Sequence, residues 1–72
     1  MYFTKEEGIA LIGKKIAIIN YQLTAEIYIG CNQLLIAGYD YSKSIFILYY
    51  EKKNVEIEVS ESWLYNHKKA IL

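Results

Sequence analysis

Between Ser44 and Ser60 the chain reads SIFILYY, then EKKN, then VEIEVS. Two strand-like runs flank a short polar loop, which is the pattern of a β-hairpin. In the second run Val55, Ile57 and Val59 point one way and Glu56, Glu58 and Ser60 the other, as the two-residue repeat of a strand requires. The first run does not alternate. Ile45 to Tyr50 is apolar throughout, and a strand apolar on both faces must be covered on both. Asn54 can adopt the left-handed conformation that closes a three- or four-residue loop. The two loop lengths give registers one residue apart. One sets Phe46, Leu48 and Tyr50 beside Val55, Ile57 and Val59; the other sets Ile45, Ile47 and Tyr49 there. A slip of one residue exchanges the faces, and the pattern permits either. In both cases one apolar face of strand 44–50 lies beside Glu56 and Glu58. That face must meet the helix, another strand or another molecule.

The rest of the chain reads as cover for this hairpin. Thr4-Lys5-Glu6-Glu7 is a capping box, so residues 4–12 are predicted to be a short helix that stops at Gly13. Gly8 weakens it by roughly 1 kcal/mol relative to alanine, and a helix this short must dock on something to persist. Lys14 to Tyr21 is a strand with Ile16 and Ile18 on one side and Ala17 and Ile19 on the other. Asn20 to Thr24 is a polar turn. Alternation resumes at Ala25, with Ile27 and Ile29 inward and Tyr28 outward. Gly30-Cys31-Asn32-Gln33 then interrupts the pattern before Leu34 to Tyr39 restores it. Glycine beside asparagine favours a turn there, with Ile29 opposite Leu34 and Ile27 opposite Ile36. The competing reading is a bulge that bends one long strand. After the hairpin, Ser60 or Ser62 can cap a helical turn carrying Trp63 and Leu64, with His67, Lys68 and Lys69 at its negative end. Residues 66–72 read equally as helix or as a short closing strand. The expected fold is mainly β with a short N-terminal helix, an α+β arrangement. It would be one domain over residues 1–72, built as a small five-stranded antiparallel, strongly bent sheet or an SH3/Sm-like barrel.

Composition sharpens this picture. A chain of 72 residues buries only about 60% of its unfolded surface, so a single core gives marginal stability. The lone cysteine, Cys31, excludes an internal disulfide. With one histidine it also leaves too few ligands for a closed zinc site. Stability must then come from an unusually apolar core or a partner, and 54% of the residues are hydrophobic, eight of them tyrosines. Eight lysines balance eight acids, and there is no arginine. A nucleic-acid binder normally shows a basic excess. No apolar run approaches the ~20 residues that span a bilayer, and a single free thiol fits a reducing cytoplasm.

Chemistry is scarcely signalled. A Cys31–His67 dyad and an Asp40–Glu26 acid–base pair can be drawn, but neither has a spacing that distinguishes it from chance. The expectation is a protein without catalytic residues, metal ligands or cofactor. Aromatic residues carry more information. Tyr28, Tyr39, Tyr41, Tyr49, Tyr50 and Trp63 are the candidate partner-binding residues, because tyrosine gives large contact area at low entropic cost and is enriched at interfaces. Lys14, Lys15, Lys52 and Lys53 are candidate phosphate or nucleic-acid contacts. The two doublets would share one end of the sheet if residues 30–33 form a turn.

A capped helix running into GKKIAI, followed by YDYSKSIFI before another strand, resembles the Sm-like small barrels. Tyr39 and Asp40 match that family's aromatic-aspartate run, and Ile45 and Ile47 its following strand. Ser44 stands at the family's asparagine position, and Ser42 where a base-stacking residue often lies. The glycines of the family's second strand and its later arginine-glycine or lysine-histidine signature are missing. The resemblance, over residues 4–60 at most, therefore implies a barrel architecture but not inherited RNA binding. SH3-like barrels account for the same strand count, with SESWL as the single helical turn before a last strand.

These features favour a non-enzymatic protein-binding module acting through an apolar, tyrosine-rich sheet face. The composition, rich in Ile, Lys, Tyr and Asn without Pro or Arg, suits an AT-rich genome. It also suits a phage or mobile-element inhibitor of a host protein, of the anti-defence or anti-CRISPR kind. Homodimerisation through the same face is expected. The alternative is a small β-barrel that binds nucleic acid or nucleotide with its lysine-rich end and stacked tyrosines.

Overall fold

A computed structural model describes residues 2–18, 21–22, 28–29 and 32–72. The chain begins with helix α1 (Lys5–Leu11). Its start is the predicted capping box. The Glu7 amide donates to Thr4 Oγ1 at 3.1 Å, and the Thr4 amide donates to Glu7 Oε1 at 2.8 Å. The same Thr4 amide and hydroxyl, with Lys68 at longer range, hold the Glu7 carboxyl below its ordinary pKa. Gly13 ends the helix at φ 95°, a left-handed conformation that glycine adopts without a Cβ clash. Its amide donates to the Ile36 carbonyl at 2.8 Å, and the Ile36 amide donates to the Lys14 carbonyl at 2.8 Å. The turn after α1 is thereby fastened to the middle of the sheet.

Among the described residues six strands follow: β1 (Lys15–Ile18), β2 (Tyr21–Gln22), β3 (Tyr28–Ile29), β4 (Asn32–Asp40), β5 (Ile45–Tyr50) and β6 (Val55–Ser60). Four of them form an antiparallel sheet in the order β1-β4-β5-β6, while β2 and β3 pair with each other. The β1–β4 and β2–β3 ladders share one register. The paired residue numbers total 50 in both, from Lys15 with Leu35 to Gln22 with Tyr28. Tyr21, the last residue of the expected strand, is strand, and so is Gln22, expected in the polar turn alone. The turn expected at 30–33 is not formed as drawn. Leu34 pairs with Ile16, Ile36 pairs with Leu48, and Asn32 and Gln33 continue the ladder opposite Ile18 and Ala17. Ile27, Gly30 and Cys31 lie outside the described residues. The physical reason is burial. This register places Ile16, Leu34, Ile36 and Leu48 side by side with no exposure. Each such side chain contributes ~1.5–3 kcal/mol, well above the turn preference of a Gly/Asn pair.

The central hairpin settles its own register. Glu51–Lys53 form a 3₁₀ turn, and Asn54 closes it in the left-handed region at φ 53°, ψ 49°. Tyr50 then faces Val55, Leu48 faces Ile57 and Phe46 faces Val59. Of the two registers the pattern permits, this is the one with Phe46, Leu48 and Tyr50 inside. The β4–β5 ladder shifts between Ile36 and Gly38, leaving Ala37 as the extra residue of a bulge. Strict alternation would carry the face of Leu34 and Ile36 on to Gly38 and Asp40. The bulge instead pairs Tyr39 with Phe46 on the filled side and turns Asp40 toward the other.

The core consists of Ile16, Leu34, Ile36, Phe46, Leu48 and Leu64, all fully buried, with Phe3, Tyr50 and Val59 at their margin. Leu64 comes from helix α2 (Glu61–Asn66), whose start is capped by the Ser60 hydroxyl accepting from the Trp63 amide at 3.1 Å. A 3₁₀ turn at Lys68–Ala70 follows. Ile71 then bridges to Ile16, and the Leu72 amide donates to the Lys15 carbonyl at 2.8 Å, so the last residues run along the free side of β1. The molecule is a small α+β domain with a four-stranded antiparallel sheet and short helices. Among the described residues the sheet does not close and has four strands, not the five expected, with β3 paired to β2 in a separate ladder; of the closing strand considered for residues 66–72, the isolated Ile71 bridge to Ile16 is formed.

Gly8 has a different significance from that of a weak helix residue. The Tyr39 ring lies directly on it. A Cβ built at Gly8 would overlap the ring, with Tyr39 Cζ at 2.7 Å. On its other side Tyr39 stacks on Phe46, with centroids 4.4 Å apart and planes 21° from parallel. The helix can approach the sheet this closely only at a residue without a side chain. Gly8→Ala should therefore lower stability by about 1–3 kcal/mol through overpacking, although alanine favours helix by ~1 kcal/mol. Urea unfolding checks this, and an unchanged or raised midpoint would contradict the close approach.

Candidate functional site

Both helices pack on the filled side of the sheet, α1 through Gly8 on Tyr39 and α2 through Leu64 in the core. The opposite face carries the alternate residues of the same strands. One row across it is Lys15, Leu35, Tyr49 and Glu56. The next is formed by Gly38, Ile47 and Glu58, and the last by Asp40, Ile45 and Ser60. Leu35, Ile45, Ile47 and Tyr49 are half-buried, and Glu56 and Glu58 are exposed. An apolar centre bordered by charge thus lies on a face that neither helix covers. Tyr49 is fixed within it, because its hydroxyl donates to Asn54 Oδ1 at 2.7 Å. The continuous apolar run Ile45–Tyr50 was the sequence signal for this face, but only the register identifies Ile45, Ile47 and Leu35 as its members.

The six aromatic candidates do not share one surface. Tyr50 is 5% exposed and belongs to the core. Tyr39 is half-buried between Gly8 and Phe46. Tyr41 is exposed in the loop after β4 and meets the Tyr39 ring edge-on at 6.2 Å. Trp63 stacks on His67 at 4.1 Å, and the His67 Nδ1 lies 2.7 Å from the Trp63 carbonyl. Of the five candidates whose side chains are described, Tyr49 alone is placed on the outer face; the Tyr28 side chain lies outside the described set. Two rings not anticipated from the sequence, Tyr2 and Tyr65, are exposed side by side with centroids 5.2 Å apart.

Lys15 sits in the row of Leu35, Tyr49 and Glu56, and Lys52 and Lys53 occupy the turn directly beyond Tyr50. Lys14 borders a groove that Lys68 and Lys69 also line.

The polar groups with defined geometry serve the fold. The buried Glu61 carboxylate accepts from the Tyr2 amide at 2.8 Å and the Phe3 amide at 2.7 Å, while the Glu61 amide donates to the Ser44 carbonyl at 2.9 Å. One residue thus joins the N-terminal segment, α2 and the β4–β5 loop. Asp40 organises that loop by accepting from the Ser42 hydroxyl at 2.7 Å and the Lys43 amide at 3.2 Å. The Ser42 bond, then Lys43, holds its carboxyl below the ordinary value. Among the described residues no three His, Cys, Asp or Glu side chains converge in a way that could hold a metal ion, and no helix is long and apolar enough to cross a membrane. Comparison with known proteins finds no matching family model, no matching curated relative and no matching solved structure.

The Tyr39 hydroxyl is buried without a hydrogen-bond partner. Burial first, then the Glu61 carboxylate and Tyr41, pushes its pKa above the ordinary 10.0. The folded state keeps this proton to higher pH than the unfolded chain does, so the stability it contributes is complete below ~10 and falls as pH rises beyond it. Tyr39→Phe removes an unpaired polar atom at constant ring packing. It should leave stability at pH 7 unchanged or raise it by up to ~1 kcal/mol, and it should flatten the loss above pH ~10. Thermal unfolding of both proteins at pH 7 and in alkali checks this. A clear loss at pH 7 would show that the hydroxyl has a partner.

Proposed function

We propose that the protein is a non-enzymatic binding module whose docking surface is the outer face of the sheet, centred on Ile47 with Leu35, Ile45 and Tyr49 around it. The observation that carries this reading is the placement of these four half-buried apolar side chains on the face opposite both helices. A sheet with one covered face ordinarily alternates to polar residues on the other, and β6 does so with Glu56 and Glu58 while β5 does not. A flat apolar centre with an acidic border suits another protein surface better than a small molecule, which binds in concave sites. The occupant is a host protein, and a second copy of the chain uses the same face when no host protein is present. The setting is inhibition of a host factor in the cytoplasm, in the manner of phage or mobile-element anti-defence proteins. The Ile71 bridge along β1 supports the view that the sheet is completed as a five-stranded barrel, which would keep the outer face rigid.

Ile47→Lys places a charge at the centre of this face without touching the core. It should preserve the unfolding midpoint within about 0.5 kcal/mol, as surface substitutions do. It should weaken both self-association, read by light scattering, and capture of the host partner at least tenfold, or about 1.4 kcal/mol. Unaltered association in a folded Ile47→Lys variant would contradict the proposed face.

A further inference from the structure

We propose that the groove between α1 and the C-terminal turn is a second binding site, separate from the outer sheet face, and that it takes an acidic peptide segment carrying apolar side chains. One wall of the groove is the Glu7, Ala10 and Leu11 face of α1, one turn apart as i, i+3 and i+4. The opposite wall is Lys68, Lys69, Ile71 and Leu72. Phe3 lies at the bottom and Lys14 at the end where the chain leaves the helix. The space between the walls is about 730 Å³ and largely open to solvent.

The chemistry of the walls selects the occupant. Ala10, Leu11, Ile71 and Leu72 make the lining aliphatic, so the occupant must bring apolar side chains to it. Leu11 and Ile71 are half-buried beneath the opening. The rim is cationic. Lys14 and Lys69 form no ion pair among the described residues. Lys68 is held with its Nζ 4.3 Å from the Tyr65 ring centroid, at the groove's edge. Glu7 is the acidic side chain among the lining residues; its Oε1 accepts from the Thr4 amide at 2.8 Å in the helix cap, and its charge offsets only part of that of the three lysines, Lys68 foremost. Three lysines against one acidic side chain leave the lining cationic, which favours an anionic partner. An aliphatic floor disfavours single-stranded nucleic acid, which relies on aromatic side chains for stacking, because the one ring lining the groove, Phe3, is 8% exposed. An open groove does not enclose a fatty-acid chain, whereas it accepts a peptide laid along it with alternate side chains inward.

The probe is a short fluorescein-labelled peptide of alternating leucine and glutamate, followed by anisotropy and by amide shifts of the ¹⁵N-labelled full chain. Binding should weaken with added salt and should shift the amides of Ala10, Leu11, Lys14 and Ile71. The Lys14→Glu/Lys69→Glu variant should weaken it at least tenfold, and its unfolding midpoint reports that the fold is kept. Lys52→Glu/Lys53→Glu and Ile47→Lys should leave it unchanged, so loss of the outer-face function and loss of this site are read separately. The leucine-to-serine peptide should bind at least tenfold more weakly, and the glutamate-to-lysine peptide should not bind. The site is overturned by absence of binding, by equal binding of the lysine peptide, by amide shifts confined to β5, or by a single-stranded oligonucleotide that binds more tightly than the peptide and is lost with the same two lysines.

Discussion

The four-residue loop from Glu51 to Asn54 sets Tyr50 opposite Val55, and from this pairing the two sides of the sheet acquire their different characters. Strand β5 is apolar at every position, so it could fill a core from either face. A left-handed Asn54 fixes which face does so. Phe46, Leu48 and Tyr50 join Val55, Ile57 and Val59 on the side the helices cover, and Ile45, Ile47 and Tyr49 stay on the other beside Glu56 and Glu58. A slip of one residue would bring those two carboxylates under the helices instead, at several kcal/mol for each buried charge. The preference for the observed register is therefore large compared with any preference within the loop itself.

Around that register the remaining elements are fitted by two local devices. The bulge at Ala37 rotates β4 by one residue, which delivers the Tyr39 ring to Phe46 and releases Asp40 to order the next loop. Gly8 then lets α1 rest on the ring itself. Glu61 contributes the other connection, gathering the amides of Tyr2 and Phe3 while its own amide reaches Ser44. Hydrogen bonds to a charged group are worth about 1.5–3 kcal/mol each, a substantial share of the stability of a domain this small. Together these contacts attach α1, α2 and the segments beside them to one face of the sheet, which is why neither helix lies on the other face and why the groove beside α1 exists.

Much of the fold is legible in the sequence because local chemistry and burial agree there. The Thr4–Glu7 box, the Gly13 stop, the Ser60 cap and the left-handed Asn54 each state their role through residue type alone. The sequence misleads where local preference and burial compete. Gly30 and Asn32 have the composition of a turn, but Asn32 and Gln33 continue the β1 ladder, and Leu34 and Ile36 find buried partners in Ile16 and Leu48. Gly8 reads as a flaw in a helix, since no pattern reveals that a tyrosine thirty-one positions away lies over it. The surfaces were less legible than the core. Interface propensity marks Tyr50 and Tyr49 alike, yet one is in the core and the other on the outer face, because the difference rests on a register the pattern left undecided. The lysines of the groove were visible as a doublet at 68–69, but their company with Lys14 arises only from the return of the chain along β1.

Thiol labelling at two adjacent positions tests the division of the sheet most directly. In a Cys31→Ser background, Ile47→Cys and Leu48→Cys each place one thiol on β5, and the reaction of dilute native protein with a thiol reagent reports which face is open. Cys at 47 should react as an accessible thiol and Cys at 48 only through unfolding. Rapid labelling at 48 with protection at 47 would place the other set of side chains in the core and would contradict this division.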